Sequence, residues 1–234
     1  ASDTTLDGGT QWVHSGGITS GTIINKDGAQ LVKAGAQATG SVVNTGAQGG
    51  PDAENNDGQW VAGTATDTTI NNDGRQIIAA GGLATSTVIK ADGDQSVHGS
   101  AINTLLEGGF QYVHEGASAE GTVISQNGWQ VVKNGATATD TTILNGTGTE
   151  VANGNSASSQ SVQAGGSALN TTIGDDSPSG ELLTDLSYQM VDGGRAENTT
   201  INNGGVQSVF AGGTAIGSVV NRGGRLEVSI WQDE

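Results

Sequence analysis

Residues 127–143 read NGWQVVKNGATATDTTI, and the frame of this stretch returns along the whole chain. Its marker is a Gln followed two residues later by a β-branched residue, here Gln130 and Val132. The markers are Gln11, Gln30, Gln59, Gln76, Gln95, Gln111, Gln130, Gln160, Gln189 and Gln207, with Thr149 and Leu226 as degenerate copies. The commonest step between markers is the one from Gln11 to Gln30, which returns from Gln111 to Gln130. A short repeat of constant length with Gly at constant offsets indicates a solenoid of stacked coils.

Within each repeat, apolar and polar residues alternate over short runs, which indicates β-strands and not helices. An Ile or Val stands six residues before most markers, and a Thr or Ser stands two residues before that Ile or Val. Gly or Asp-Gly separates the runs and supplies the positive φ of a tight corner. A small residue three positions before the Thr, as at Ala84, Ala119 and Ala138, predicts a tight inner corner.

These patterns predict an all-β fold, a right-handed, three-sided parallel β-helix (solenoid) of about 11 coils with two short insertions. Equivalent residues of successive coils then lie above one another, so we expect the marker glutamines to form an interior ladder of amides. We expect residues 1–234 to form a single β-helix domain that is a fragment of a larger protein.

Two marker steps are longer than the rest. Gln30 to Gln59 and Gln160 to Gln189 each exceed the common step by the same margin, which predicts insertions near 47–57 and 174–187. The two prolines of the chain fall in these segments, and Pro is confined to places where a sheet ladder is interrupted. The short step from Thr149 to Gln160 predicts an irregular extra coil.

The charge balance excludes some classes of partner. The chain has 24 acidic and 8 basic residues, for a formal net charge of −16, which argues against binding nucleic acid or an anionic membrane surface. No apolar run is long enough to cross a bilayer, so we expect no direct membrane insertion of this segment. The absence of Cys removes disulfide and thiol chemistry.

The alternation also places a regular stripe of short hydrogen-bonding side chains on the outside of the rod. The stripe begins with Asp3, Thr5, Asp7, Asn25, Asn44, Asp67, Thr69, Asn71 and Ser86, and later members include Lys90, Asn103, Glu107, Ser125, Asp140, Thr142, Asn198, Thr200, Asn202 and Asn221. Exposed strand positions of any solenoid favour Thr and Asn. As a set, however, many weak contacts at fixed spacing suit pairing with another rigid rod, because such contacts add through avidity.

A second outward column stands one residue after the marker and is apolar in the first half of the chain. Its members are Trp12, Leu31, Trp60, Ile77, Tyr112 and Val131. An exposed apolar column can mark a partner surface. Alternatively, flanking turns or an insertion cover it.

No pattern predicts catalysis or a firm metal site. The basic residues are scattered and no pair of acids stands apart from the turns, so we predict no enzymatic activity. Asp73, Asp92 and Asp94 lie in or beside Asp-Gly turns, where turn chemistry explains them and a Ca²⁺ site between stacked turns is the weaker alternative. His98 and His114 stand on adjacent coils without a third ligand, which favours a solvated pair over a metal site.

Four segments resemble the antigen 43 family of self-associating autotransporter adhesins: GGPDAENNDGQWV, TTINNDGRQII, GDQSVHGSAINTLLEGGFQYVHEG and GTVISQNGWQVVKNG. The resemblance is strong over residues 1–145 and continues afterwards at the level of the repeat. The letters GPDAEN are not required by the repeat, so their match is specific.

The resemblance implies a passenger domain at the surface of a Gram-negative bacterium, secreted across its outer membrane. It implies homophilic self-association with the same protein on neighbouring cells, which produces autoaggregation and biofilm formation. By register, the contacts would come from Thr5, Asp7, Asn25, Asn44, Asp67, Thr69 and Asn71, with Ser86 as the next member of the stripe. The alternatives are a glycan-binding or glycan-degrading β-helix and a Ca²⁺-stabilised structural rod.

Overall fold

The computed structural model describes residues 1–44, 58–146, 157–175 and 186–229. Within these ranges the chain forms 32 strands in three parallel sheets of 11, 11 and 10 strands. Each strand pairs with the strand three elements later, so every coil gives one strand to each sheet. The predicted three-sided parallel β-helix is therefore confirmed. No helix able to span a membrane occurs in the described ranges.

Each sheet is named after the residue that it turns into the rod. The Ile sheet contains β1 (Thr5–Leu6), β4 (Ile23–Ile24), β7 (Val42–Val43), β10 (Thr69–Ile70), β13 (Val88–Lys90), β16 (Leu105–Glu107), β19 (Val123–Ser125), β22 (Thr142–Ile143), β25 (Thr172–Ile173), β28 (Thr200–Ile201) and β31 (Val219–Val220). The Gln sheet contains β2 (Thr10–Val13), β5 (Ala29–Val32), β8 (Gly58–Val61), β11 (Arg75–Ile78), β14 (Asp94–Val97), β17 (Phe110–Val113), β20 (Trp129–Val132), β23 (Ser158–Val162), β26 (Ser187–Val191), β29 (Gly205–Val209) and β32 (Arg225–Val228). The Ala sheet contains β3 (Ile18–Ser20), β6 (Gln37–Thr39), β9 (Thr64–Thr66), β12 (Leu83–Thr85), β15 (Ser100–Ile102), β18 (Ser118–Glu120), β21 (Thr137–Thr139), β24 (Ser167–Leu169), β27 (Arg195–Glu197) and β30 (Thr214–Ile216).

The core is a set of thin columns of identical or similar side chains. One buried cluster is the inward column of the Ile sheet, from Ile70 to Ile201. A second cluster packs the Ala column against the β-branched column of the Gln sheet, as with Ala84 beside Ile78 and Val97. The Ala column lies in the middle of strands and not at an inner corner, so that prediction was wrong. Ala is small there because the facing wall already fills the narrow interior.

The predicted interior ladder of glutamines is confirmed. Each marker Gln from Gln30 onwards donates a hydrogen bond from Nε2 to Oε1 of the preceding Gln, over 2.5–2.8 Å. Because all these amides are buried, every donor needs such a partner. All nine bonds point the same way along the rod, from later coils towards earlier ones.

The longer marker steps all occur between an Ile-sheet strand and the following Gln-sheet strand, at β7 to β8, β22 to β23 and β25 to β26. The predicted insertion near 47–57 lies outside the described residues, as does that near 174–187 apart from its ends, so both stay predictions. Thr149, the marker of the predicted extra coil, lies outside the described residues. Gln130 pairs directly with Gln160, so no strand of the Gln sheet lies between these two markers and the prediction of an extra coil was wrong.

Candidate interaction edge

The predicted polar stripe resolves into three parallel columns, which together form the outer edge. The corner column joins the Ala sheet to the Ile sheet and contains Asp3, Gly21, Gly40, Asp67, Ser86, Asn103, Gly121, Asp140, Asn170, Asn198 and Gly217. The face column is the outward side of the Ile sheet and contains Thr5, Ile23, Val42, Thr69, Val88, Leu105, Val123, Thr142, Thr172, Thr200 and Val219. The Asn column follows two residues later and contains Asp7, Asn25, Asn44, Asn71, Lys90, Glu107, Ser125, Leu144, Gly174, Asn202 and Asn221. The place of a residue in its list is its coil number, from 1 to 11.

The corner column has the left-handed backbone that favours Gly, Asn and Asp. Its φ values lie between 50° and 68°, and a non-Gly residue rarely adopts them. Each corner is held by a backbone bond to the next coil, as from Asp67 N to Thr85 O at 3.0 Å and from Ser86 N to Ile102 O at 2.9 Å. Asp67 and Ser86 therefore lie at a corner and not on the strand where the sequence pattern placed them. The backbone limits the residue type at this column, but it does not decide between Gly, Asn and Asp at each coil.

The corner is also anchored from inside. From Gly21 onwards, the Thr or Ser directly after each corner residue is inward and donates its hydroxyl to a marker Gln, as Thr122 does to Gln111 at 3.2 Å and Ser41 to Gln30 at 3.0 Å. The Gln ladder therefore fixes the backbone that presents the outer edge. A partner that binds this edge does not have to order it first, which lowers the entropic cost of binding.

The Asn column forms a second ladder on the outside. Asn25 donates from Nδ2 to Oδ1 of Asp7 at 2.6 Å, Asn44 donates to Asn25 at 2.8 Å and Asn71 donates to Asn44 at 2.7 Å. An Asn amide has two N–H donors and two acceptor lone pairs. Each ladder bond uses one donor and one acceptor, so these side chains keep hydrogen-bonding capacity while their rotamers are fixed.

The face column is more apolar than the sequence pattern indicated. Thr5 and Thr69 belong to it as predicted, but coils 2, 3, 5, 6, 7 and 11 carry aliphatic residues, namely Ile23, Val42, Val88, Leu105, Val123 and Val219. Ile23 and Val219 are exposed and the other four are half-buried. They stand one residue before the inward Ile, Leu or Val, so the same offset that located the threonines would have found them.

Charged residues occupy the Asn column at the middle of the rod. Lys90 of coil 5 and Glu107 of coil 6 replace the amide ladder there and form an ion pair with each other. Both side chains remain partly exposed. The outer edge therefore combines a face column that is aliphatic in most of coils 2 to 7 with a central pair of opposite charges.

Comparison with known proteins agrees with this architecture. A family model described as the adhesin of bacterial autotransporter systems, probable stalk, matches residues 90–148 and 187–230. A solved structure of a hyper-glycosylated fragment of TibA, glycosylated by TibC, is 32% identical, with 97% of this chain and 88% of that chain covered and a TM-score of 0.51. This chain belongs to the autotransporter adhesins. Passenger domains of this family act at the cell surface, and the adhesin therefore has a cell-surface localisation.

A second structure resembles the adhesin at much lower identity. Tailspike protein gp49 from the Acinetobacter baumannii bacteriophage Fri1, a capsular polysaccharide depolymerase, is 8% identical, with 92% of this chain and 55% of that chain covered and a TM-score of 0.34.

The outward column of the Gln sheet in the adhesin is buried at only some of its positions. Leu31 is 4% exposed, Ile77 5% and Val131 4%, whereas Trp12 is 50% exposed, so this column does not present a continuous apolar surface. Lys33 lies over two of the aromatic rings, with its Nζ 4.8 Å from the ring centroid of Trp12 and 4.7 Å from that of Trp60. The covered interpretation therefore holds for the three aliphatic residues and not for Trp12.

The weak Ca²⁺ candidates do not form a common site. Asp73 and Asp92 have φ of 57° and 59° and make the turns after the Ile sheet, whereas Asp94 lies on β14 and forms an ion pair with Arg75 at 3.2 Å. In the ranges that the structure describes, no group of three or more His, Asp or Glu could hold a metal ion. Turn chemistry and the ion pair account for these three residues.

The rings of His98 and His114 stack on each other in the adhesin, with their centroids 4.1 Å apart. Burial lowers the pKa of His114 to about 4, assisted by the charges of His98, Lys133 and Arg75. Because the folded pKa lies below the unfolded value of about 6.5, the folded state binds fewer protons. Above the unfolded pKa the ring is neutral in both states, and burying it does not lower the stability of the fold. As the pH falls from that value towards 4, the unfolded state takes up a proton that the folded state does not, so the folded state loses stability.

Acidification is therefore expected to lower the melting temperature of the wild-type adhesin more than that of a His114→Gln variant. Circular dichroism melts between neutral pH and about pH 4 measure the difference. His14→Gln, at an exposed histidine, is the matched control and should follow the wild type. Parallel pH profiles for wild type and His114→Gln would contradict this origin of acid sensitivity.

Proposed function

We propose that the adhesin self-associates through its outer edge, with the same protein on a neighbouring cell as partner. This pairing joins cells, gives autoaggregation and builds biofilm. The observation that carries the proposal is the ordered outer edge, where unused hydrogen-bonding groups and aliphatic side chains recur at the coil spacing of about 4.8 Å. A rigid row of such groups is matched best by another row with the same spacing, and the outer edge of a second copy necessarily has that spacing.

Geometry supports an antiparallel arrangement. Two rods that extend towards each other from opposing cell surfaces run in opposite directions where they overlap. Each coil contributes only small contacts, but the stacked coils act together, and linked weak contacts give an affinity that none has alone. Membership in an adhesin family supports a binding role without catalysis.

A charge on the face column is expected to abolish association. Val88 is half-buried on the outward side of β13, so Val88→Glu adds an acid to the edge of a chain that already carries a net charge of −16. Leu83→Glu is the matched control, because Leu83 is also half-buried and lies in the next earlier strand, on the Ala sheet. Analytical ultracentrifugation and the clumping of coated beads measure association. We expect clumping of wild type and Leu83→Glu but not of Val88→Glu. A monomeric wild type at high concentration, or equal loss in both variants, would refute the proposal.

The salt concentration should also change the clumping of the same beads. The wild-type rods repel each other at low ionic strength, and the repulsion is screened as salt rises towards the physiological range. We therefore expect clumping to strengthen over that range. Clumping that only weakens with added salt would mean that local ion pairs dominate association.

A further inference from the structure

We propose that two copies pair in one defined register, in which coil n of one rod faces coil 11 − n of the other. This inference rests on the proposed self-association and specifies its partner surface. A two-fold axis perpendicular to both rods makes them antiparallel and places each column of the outer edge opposite the same column of the partner. The axis then passes between coils 5 and 6. Only the side chains that each column presents can select one register among the possible shifts.

The corner column is self-complementary in this register. It pairs Asp3 with Asn198, Gly21 with Asn170, Gly40 with Asp140, Asp67 with Gly121, and Ser86 with Asn103. Every Asp faces an amide or the open space of a Gly, and no Gly faces another Gly. A carboxylate opposite an amide gains a charge-assisted hydrogen bond, whereas two facing carboxylates would repel.

The face column is apolar at the axis and more polar towards the ends. Val88 of each copy faces Leu105 of the other, and Thr69 faces Val123 on either side. At the outermost coils Thr5 faces Thr200. An apolar centre with a polar rim is the usual anatomy of a specific protein interface.

The Asn column supplies opposite charges next to that apolar centre. Lys90 on coil 5 faces Glu107 on coil 6 of the other copy, and the symmetry makes this pair twice. Since Lys90 and Glu107 already pair within each chain, the four side chains form an alternating network of charges. Networks of this kind contribute more than isolated surface pairs.

A shift of one coil in either direction removes the match. If coil n faced coil 10 − n, Lys90 would face Lys90 and Gly40 would face Gly121. If coil n faced coil 12 − n, Glu107 would face Glu107 and Asp67 would face Asp140. Both shifts place like charges in contact, which acts against the wrong register. The corner column and the Asn column therefore select the same alignment independently, and the face column is compatible with it.

Charge reversal tests the register. In the proposed pairing, Lys90→Glu alone and Glu107→Lys alone each place like charges opposite each other twice, so each variant should associate with itself roughly tenfold more weakly than wild type. A mixture of the two variants restores both opposite-charge pairs between chains and should recover near wild-type association. Differently coloured beads, one variant on each, report mixed and unmixed clumps separately.

The Glu107→Lys variant separates register from overall charge. It makes the net charge less negative by two, so simple repulsion between acidic rods predicts stronger self-association. The register predicts weaker self-association. Stronger clumping of Glu107→Lys with itself, or no recovery in the mixture, would overturn the register while leaving self-association itself intact.

Cross-linking provides an independent measurement, because the chain has no cysteine of its own. Thr69→Cys on one copy and Val123→Cys on the other face each other, so a short bismaleimide should join them in the mixture. Thr69→Cys with Thr200→Cys is the control, since Thr200 lies three coils beyond Val123, about 14 Å along the rod. Products of the control pair alone would assign another register. If wild-type rods do not associate at all, both the register and the proposed function fail.

Discussion

A Gln111→Ala variant is expected to lose about 4 kcal/mol of unfolding free energy. Gln111 is fully buried, donates to Gln95 Oε1 at 2.7 Å and accepts from Gln130 Nε2 at 2.7 Å. Truncation opens a cavity and removes the ladder partner of both neighbours where water cannot replace it. Thr122 also loses the acceptor of its hydroxyl. For a domain of this length, that loss corresponds to a melting temperature lower by about 10 °C.

Gln163→Ala is the matched control for the ladder. Gln163 is exposed and belongs to no ladder, so its truncation should change the melting temperature by less than about 2 °C. Thermal and urea unfolding followed by circular dichroism measure both variants against wild type. Similar small effects of Gln111→Ala and Gln163→Ala would show that the amide ladder does not stabilise the rod.

An Ile124→Ala variant is expected to lose about 3–4 kcal/mol of unfolding free energy through the core. Ile124 is fully buried in the inward column of the Ile sheet, where its strand pairs with those of Leu106 and Ile143. A neighbouring coil cannot move into the cavity without breaking its own ladder bonds. Because each coil contacts mainly its neighbours, the damage should be largest in coils 6 to 8.

Amide hydrogen exchange by mass spectrometry tests the location as well as the size of this effect. Val123→Ala is the control, since Val123 is the adjacent residue on the outward, half-buried side of β19. It should leave exchange in coils 6 to 8 close to that of wild type. Equal acceleration of exchange in both variants, or acceleration spread evenly along the rod, would contradict a core in which each coil is stabilised mainly by its neighbouring coils.

The sequence predicted those parts of the fold that repeat. A marker such as Gln130, followed by Val132, recurs in nearly every coil, so its inward direction, the parallel stacking and the amide ladder could all be derived from spacing. Errors arose where spacing was ambiguous. Thr149 imitates a marker in the sequence, and only the direct pairing of Gln130 with Gln160 shows that the Gln sheet has no strand between those two markers.

The outer edge was predicted in outline but not in detail. Alternation along a strand identifies which side is outward, so Thr5 and Thr69 were placed correctly. It does not reveal a change of backbone region, and Asp67 and Ser86 were therefore assigned to a strand although φ is positive at both. The alternation carries no information on contacts between coils, so the ion pair of Lys90 with Glu107 required the three-dimensional register.

The uniform direction of the Gln ladder has a consequence for how such proteins diverge. Since every joint between coils is made by the same donor and acceptor, a duplicated or deleted coil leaves the ladder closed and the rod folded. Every later side chain on the outer edge is then displaced by one coil along the rod. In the proposed pairing, a descendant that gains one coil cannot match its ancestor along the whole rod, because any one alignment is correct on only one side of the new coil. A change in rod length would therefore weaken pairing between related adhesins whose surface residues are otherwise almost the same.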